Sequence, residues 1–128
     1  MGSRTPLILA VDDQPGVRRL LQELFKEVGY RVATAVNGQE AIALATVERP
    51  DLALLDVKMP VMDGLDALRT LKGLYPEMPV FMMTAVGDGE QMSQATSLGA
   101  EGCINKPFDV FEVRRRVRAA IGDKEEMP

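Results

Sequence analysis

Five times along the chain, a short continuous apolar run is followed by a stretch with apolar residues at helical spacing. This alternation constrains the fold more than any other feature. The runs are "LILAV" (7–11), "YRVATA" (30–35), "LALL" (52–55), "PVFMMT" (79–84) and a weaker "GCIN" (102–105). Between and after them lie "PGVRRLLQELFKEVG" (15–29), "NGQEAIALATVE" (37–48), "GLDALRTLKGLY" (64–75), "DGEQMSQATSLG" (88–99) and "DVFEVRRRVRAAIG" (109–122). The first of these sets Val17, Leu20, Leu21, Leu24, Phe25 and Val28 on one face, with Pro15 near its start and Gly29 as a stop. Asn37 is a plausible cap for the second.

Strands that are apolar throughout, rather than alternating, belong in a parallel sheet covered on both faces. Right-handed crossovers then give a doubly wound α/β sandwich, a flavodoxin-like (βα)5 unit with strand order 2-1-3-4-5. The expected organisation is one domain over 7–122, with short tails at 1–6 and 123–128. A chain of 128 residues is long enough to bury a real core. No internal repeat, linker or second domain is evident.

Composition narrows the chemistry. There is no histidine, which removes serine–histidine and cysteine–histidine catalysis and imidazole-bound zinc. The single cysteine, Cys103, cannot close an internal disulfide, which fits a reducing cytoplasm. The opening "MGSRTP" lacks the apolar core of a secretory signal, and no apolar run is long enough for a membrane span. A net charge of −4 is the wrong sign for a general nucleic-acid binder. Neither nucleic acid nor membrane is an expected partner.

In an open α/β sheet, ligands bind beyond the carboxyl ends of the strands. The acids fall there. Asp12 and Asp13 follow the first strand and Asp56 ends the third, so in this topology three carboxylates converge. Like charges in a cleft repel unless something neutralises them, and a hard dication such as Mg²⁺ does so economically. Thr84 ends the fourth strand and Lys106 follows the fifth. A hydroxyl, an ammonium and a metal-bound carboxylate cluster suit an oxyanion such as a phosphoryl group. Taken singly, each residue has a plain reading as a helix cap, a strand end or a solvated loop residue.

"VDDQPGVRRLL", "LALLDVKMPVMDG", "MTAVG" and "INKPFDVFEV" together resemble the characteristic segments of bacterial response-regulator receiver domains. The resemblance runs from about Leu7 to Ile121. It implies that Asp56 is the phosphoacceptor, that Asp12 and Asp13 help hold Mg²⁺, and that the backbone carbonyl of Lys58 completes the metal site. It also implies that Thr84 is the switch hydroxyl, that Lys106 contacts the phosphate, and that Pro107 follows a cis bond. In the loop behind Asp56, Met59-Pro60 is expected to turn the chain and Asp63-Gly64 to let the next helix start. The implied donor is a sensor histidine kinase or a histidine phosphotransfer protein, with the first helix contributing contacts. Output is expected through protein contacts, a phosphorylation-dependent weak dimer, or onward transfer to a downstream phosphotransferase. The segments are most similar to stand-alone receivers of sporulation phosphorelays.

Cys103 departs from the pattern, because it stands where the family usually places an aromatic or histidine switch residue. A small buried thiol is the favoured reading there. Lys58, two residues past the acceptor, occupies a position that influences phosphate lifetime in the family. "VRRRVR" (113–118) is a solvated helix face or a docking surface for an acidic partner. The methionines at 59, 62, 78, 82 and 83 read as packing residues. Alternatives are a receiver cut from a longer transcription regulator, a Mg²⁺-dependent aspartyl-phosphate hydrolase, and a flavin or nucleotide carrier. The hydrolase ordinarily needs a second acid where Lys58 stands; the carrier needs a Gly- or Ser/Thr-rich phosphate loop where "DDQPG" stands.

Overall fold

The computed structural model describes residues 5–85 and 87–122. Strands and helices alternate as β1 (Leu7–Val11), α1 (Pro15–Glu27), β2 (Arg31–Ala35), α2 (Gly38–Val47), β3 (Leu52–Asp56), α3 (Gly64–Leu74), β4 (Val80–Thr84), α4 (Gly89–Ser97), β5 (Gly102–Asn105) and α5 (Val110–Gly122). The strands form one parallel sheet in the order β2-β1-β3-β4-β5. This is the expected topology. The residues expected to fray at 123–128, and 1–4 of the expected N-terminal tail, lie outside the described residues. Pro6, also assigned to that tail, is buried, and its carbonyl accepts from the Arg31 N–H at 2.9 Å.

Element ends shift by one or two residues from the sequence reading, and caps explain several of the shifts. Asn37 stays outside α2 because its side chain accepts from the third N–H beyond it, at 2.8 Å, and Asp63 caps α3 in the same way at 3.0 Å, where the helix starts at Gly64 as expected. Asp109 does the same for α5, accepting from Phe111 and Glu112. Gly29 ends α1 with φ +88°. Tyr30 leaves β2 but remains buried, its ring stacked on Phe25 at 6.2 Å.

Side chains alternate across each strand, and this divides the core in two. Ile8, Ala10, Leu52, Leu54, Phe81, Met83 and Ile104 face α1 and α5, meeting Leu21, Phe25, Val113 and Val117. Leu9, Val11, Ala53, Leu55, Val80 and Met82 face α2, α3 and α4, meeting Ala41, Leu68, Leu71 and Ala95. β1, β3 and β4 are buried along their whole length, whereas the edge strands β2 and β5 are only partly covered. The uniformly apolar reading therefore holds for the inner strands alone. Met59, Met78, Met82 and Met83 are buried, and Met62 packs against the α2–α4 side, so the methionines are packing residues.

Gly64 is required by close approach. The start of α3 lies against the end of β3, and a Cβ on Gly64 would sit on the Asp56 carbonyl oxygen and 2.9 Å from Val57 Cα. Both obstructing groups are backbone, so neither swings aside. Gly64→Ala should cost roughly 2 kcal/mol or more in urea unfolding. Gly16→Ala, in open space on α1, should instead stabilise by about 0.5–1 kcal/mol. Equal effects at the two positions would show that the α3–β3 approach is not rigid.

Candidate functional site

The parallel register brings the chemistry to one edge. Val11 pairs with Leu55, Asp56 with Met83, and Thr84 with Asn105, so the residues at or just beyond these pairs share the carboxyl end of the sheet. Alternation then sets their sides. Asp12 continues the Ile8–Ala10 parity, Asp56 the Leu52–Leu54 parity and Lys106 that of Ile104, all belonging to the α1/α5 side. Thr84 has the opposite parity, shared with Val80 and Met82.

Asp12, Asp13 and Asp56 each offer a carboxylate oxygen within 4.8 Å of the others. Asp12 is fully buried, Asp56 is 8 % exposed, and Asp13 is open to solvent. The Lys106 ammonium lies between the two buried acids, 2.7 Å from Asp12 Oδ2 and 3.3 Å from Asp56 Oδ1. Asp12 is fixed further by its own loop. Its Oδ1 accepts from Gln14 N at 2.9 Å, and its carbonyl accepts from Arg18 at 2.8 Å. It is therefore not a cap for α1, whose N-cap residue is Gln14.

The protonation equilibria follow from this packing. Burial and the neighbouring Asp12 charge push the Asp56 carboxyl up to about 6, with Lys106 only partly offsetting them. Burial works against the Lys106 ammonium, but its hydrogen bond and attraction to Asp12, with a further pull from Asp56, leave its pKa raised. A hard divalent cation suits such a site. Three carboxylates with one cation between them, one acid open to solvent, supply the oxygen donors Mg²⁺ prefers.

The connecting loops fix Asp56 from both sides. Val57 N extends the ladder to Met83 O, and Gly64 N bonds Val57 O at 2.9 Å. The turn is centred on Val61, one residue later than expected, with φ +71° and a Met62 N to Pro60 O bond of 2.8 Å. A β-branched residue at positive φ costs roughly 1–3 kcal/mol. The Lys106–Pro107 peptide bond is cis, and Lys106 N donates to Thr84 O at 2.7 Å. The Thr84 hydroxyl turns to β5, toward Asn105 Oδ1 at 3.2 Å and Ile104 O at 3.5 Å. That matches its parity and separates it from the acids' side.

Cys103 is half-buried against the α2–α4 core, and burial pushes its thiol up, the opposite of an activated thiolate. The basic run on α5 is partly structural. Arg116 donates to the Cys103 carbonyl at 2.6 Å and lies over the Phe81 ring, while Arg114 lies over Phe111. Sequence reasoning missed Asp88. It is 5 % exposed; its Oδ2 accepts from Ala85 N at 2.8 Å and its Oδ1 pairs with Lys58 at 3.2 Å. The backbone bond, opposed by burial and helped by Lys58, holds its carboxyl below the usual range.

An acidic nest at a strand end, crossed by a lysine before a cis proline in a 2-1-3-4-5 sheet, defines a class of signalling phosphoacceptors. Residues 8–118 match the response regulator receiver domain, and the chain belongs to that family. It is 44% identical to sporulation initiation phosphotransferase F of Bacillus subtilis over 111 residues, covering 87% of this chain and 90% of that one. It is 38% identical to the alkaline phosphatase synthesis transcriptional regulatory protein PhoP of the same organism, covering 89% of this chain but 48% of PhoP. The chain thus spans about half the length of the transcriptional regulators it matches. Among solved structures, the chemotaxis protein CheY4 of Vibrio cholerae superposes with a TM-score of 0.86 at 30% identity, covering 91% of this chain and 99% of that one. A CheY-like receiver protein of Methanospirillum hungatei reaches 0.90 at 27% identity, covering 96% and 98%. The chain is a phosphoacceptor response regulator.

A raised folded-state carboxyl binds its proton more tightly than the unfolded chain does. Its contribution is therefore best below about pH 4 and worsens as pH rises through about 6. Metal-free Asp56→Asn should be about 1–3 kcal/mol more stable than wild type at pH 7.5, with the gap closing near pH 4. Urea melts at both pH values check this; a gap independent of pH would contradict the charge argument.

Proposed function

We propose that Asp56 accepts a phosphoryl group from a phosphohistidine on a sensor histidine kinase or phosphotransfer protein. The observation that carries this reading is the Asp56 carboxylate at the end of β3, buried to 8 % exposure beside Asp12 and Asp13 and met by Lys106 at 3.3 Å. An Asp56 oxygen attacks phosphorus as the bond from phosphorus to the imidazole nitrogen breaks, and that nitrogen keeps the electron pair. Asp12, Asp13, Asp56 and the Lys58 backbone carbonyl are the groups to hold Mg²⁺. When bound, the ion neutralises the clustered negative charge. Lys106 pairs with a phosphoryl oxygen while its backbone stays pinned to Thr84. The work is positioning and charge neutralisation, as expected for phosphoryl transfer.

The donor's approach is supported by a groove of about 670 Å³ beside the acids. Val17, Leu20, Pro107 and Phe108 give it an apolar wall, and Lys106 links it to the acceptor. A helix carrying the phosphohistidine fits such a groove, its apolar face against Val17 and Leu20. Thr84 is the hydroxyl that reports the modification. It does so by exchanging its Asn105 bond for the phosphoryl group, as a monomer or through a weak phosphorylation-dependent dimer.

The similarity to the sporulation phosphotransferase, nine-tenths of whose length is covered, supports a relay role in which the group passes on to a further phosphotransferase. A receiver within a longer transcription regulator is the second reading, supported by the regulators matched over half their length. A cytoplasmic location fits that role; no described helix is long and apolar enough to cross a membrane. The hydrolase alternative is not favoured, since the position of its second acid holds Lys58, whose ammonium pairs with Asp88.

Incubation with acetyl phosphate and Mg²⁺, followed by intact-mass analysis, should add a single phosphoryl group to wild type and none to Asp56→Asn. EDTA should abolish the adduct. Labelling that survives in Asp56→Asn would place the acceptor elsewhere and overturn the reading.

A further inference from the structure

Asp88 is a buried acid with no part in the chemistry described above, and its placement is unusual. It occupies the N-cap position of α4, and with Gln91 three residues on it has the spacing of a reciprocal cap. Yet its side chain makes no capping bond to α4, and among the described residues Gln91 Oε1 is buried without a partner. Forgoing an aspartate cap costs about 1 kcal/mol. The carboxylate is committed instead to the loop after Thr84, through Ala85 N at 2.8 Å, and to Lys58 Nζ at 3.2 Å.

Lys58 is the residue two beyond the acceptor, with its side chain 67 % exposed and its ammonium drawn to this buried anion. The contact crosses from the β3–α3 loop to the β4–α4 loop, the two loops that flank the acceptor's edge. Once Asp56 carries a phosphoryl group, a second anion competes for the same ammonium. A lysine released to it would lay its charge and aliphatic stem across the path of an incoming water. We propose that Asp88 is a positioning residue that holds the Lys58 ammonium off the acceptor and thereby shortens the life of the phosphoryl group on Asp56.

The step affected is hydrolysis. Water oxygen bonds to phosphorus as the bond from phosphorus to the Asp56 oxygen breaks, leaving the Asp56 carboxylate and dihydrogen phosphate, which carries both water protons. Asp88 touches none of these atoms; it acts through Lys58. Because the Lys58 end of the pair is exposed, the effect is modest, about two- to fivefold in rate.

This inference rests on Asp56 being the acceptor, and the test separates the two. Phosphorylated protein is prepared with acetyl phosphate and Mg²⁺, desalted, and followed by intact mass. Asp88→Asn keeps an acceptor oxygen for Ala85 N but removes the charge, and should lose phosphoryl about two- to fivefold more slowly than wild type. Asp88→Glu, which keeps the charge, should behave as wild type. Lys58→Met, which keeps a stem without the ammonium, should hydrolyse at least as fast as wild type. Adding Asp88→Asn to Lys58→Met should change nothing further. An equal slowing by Asp88→Asn with and without the Lys58 ammonium would overturn the inference, as would unaltered hydrolysis in Asp88→Asn alone. If wild type takes up no phosphoryl group, the reading of Asp56 falls first, and this inference with it.

Discussion

The Lys106 ammonium, shared between Asp12 and Asp56, is the interaction on which the site depends. Two carboxylates withdrawn from water at neighbouring strand ends repel each other, and only a cation placed between them makes the arrangement tolerable. Lys106 is itself largely withdrawn from solvent, so the pairing is reciprocal: neither sign is stable there without the other. Asp56 nevertheless remains under-compensated, and its carboxyl is correspondingly reluctant to ionise. A hard dication would offset that residual deficit.

The fold supports this arrangement through constraints of different range. Parallel register sets which residues are level, and side-chain alternation sets which side they face. Gly64 then lets α3 begin directly on the Asp56 carbonyl, so the Asp56 backbone is wedged between a sheet ladder and a helix start. Asp56 is thus held by its main chain, while its carboxylate meets Lys106.

Much of this was legible in the sequence, because it depends on local rules. Uniform apolar runs marked β1, β3 and β4, and the spacing of apolar residues marked α1. Acids directly after strands marked the chemical edge, once parallel winding made those ends neighbours. The edge strands were placed as closely as the inner ones, but their partial burial was not legible, since it is set by what lies beside a strand rather than by its own letters. Asp88 escaped notice for a related reason. An aspartate before a helix reads as a cap, and only the assembled loops show its carboxylate engaged elsewhere. Cys103 and Arg116 are similar: the guanidinium reads as one of a solvated basic run, but it packs over Phe81 and bonds the cysteine's carbonyl.

Among the described residues, the strands separate two apolar cores. The groove of α1 and Phe108, the acids and Lys106 belong to one layer, while Thr84, Cys103 and α2–α4 belong to the other. Substitutions that reshape one layer's surface need not repack the opposite core. A fold partitioned in this way lets the surfaces of its two layers vary in sequence independently of one another.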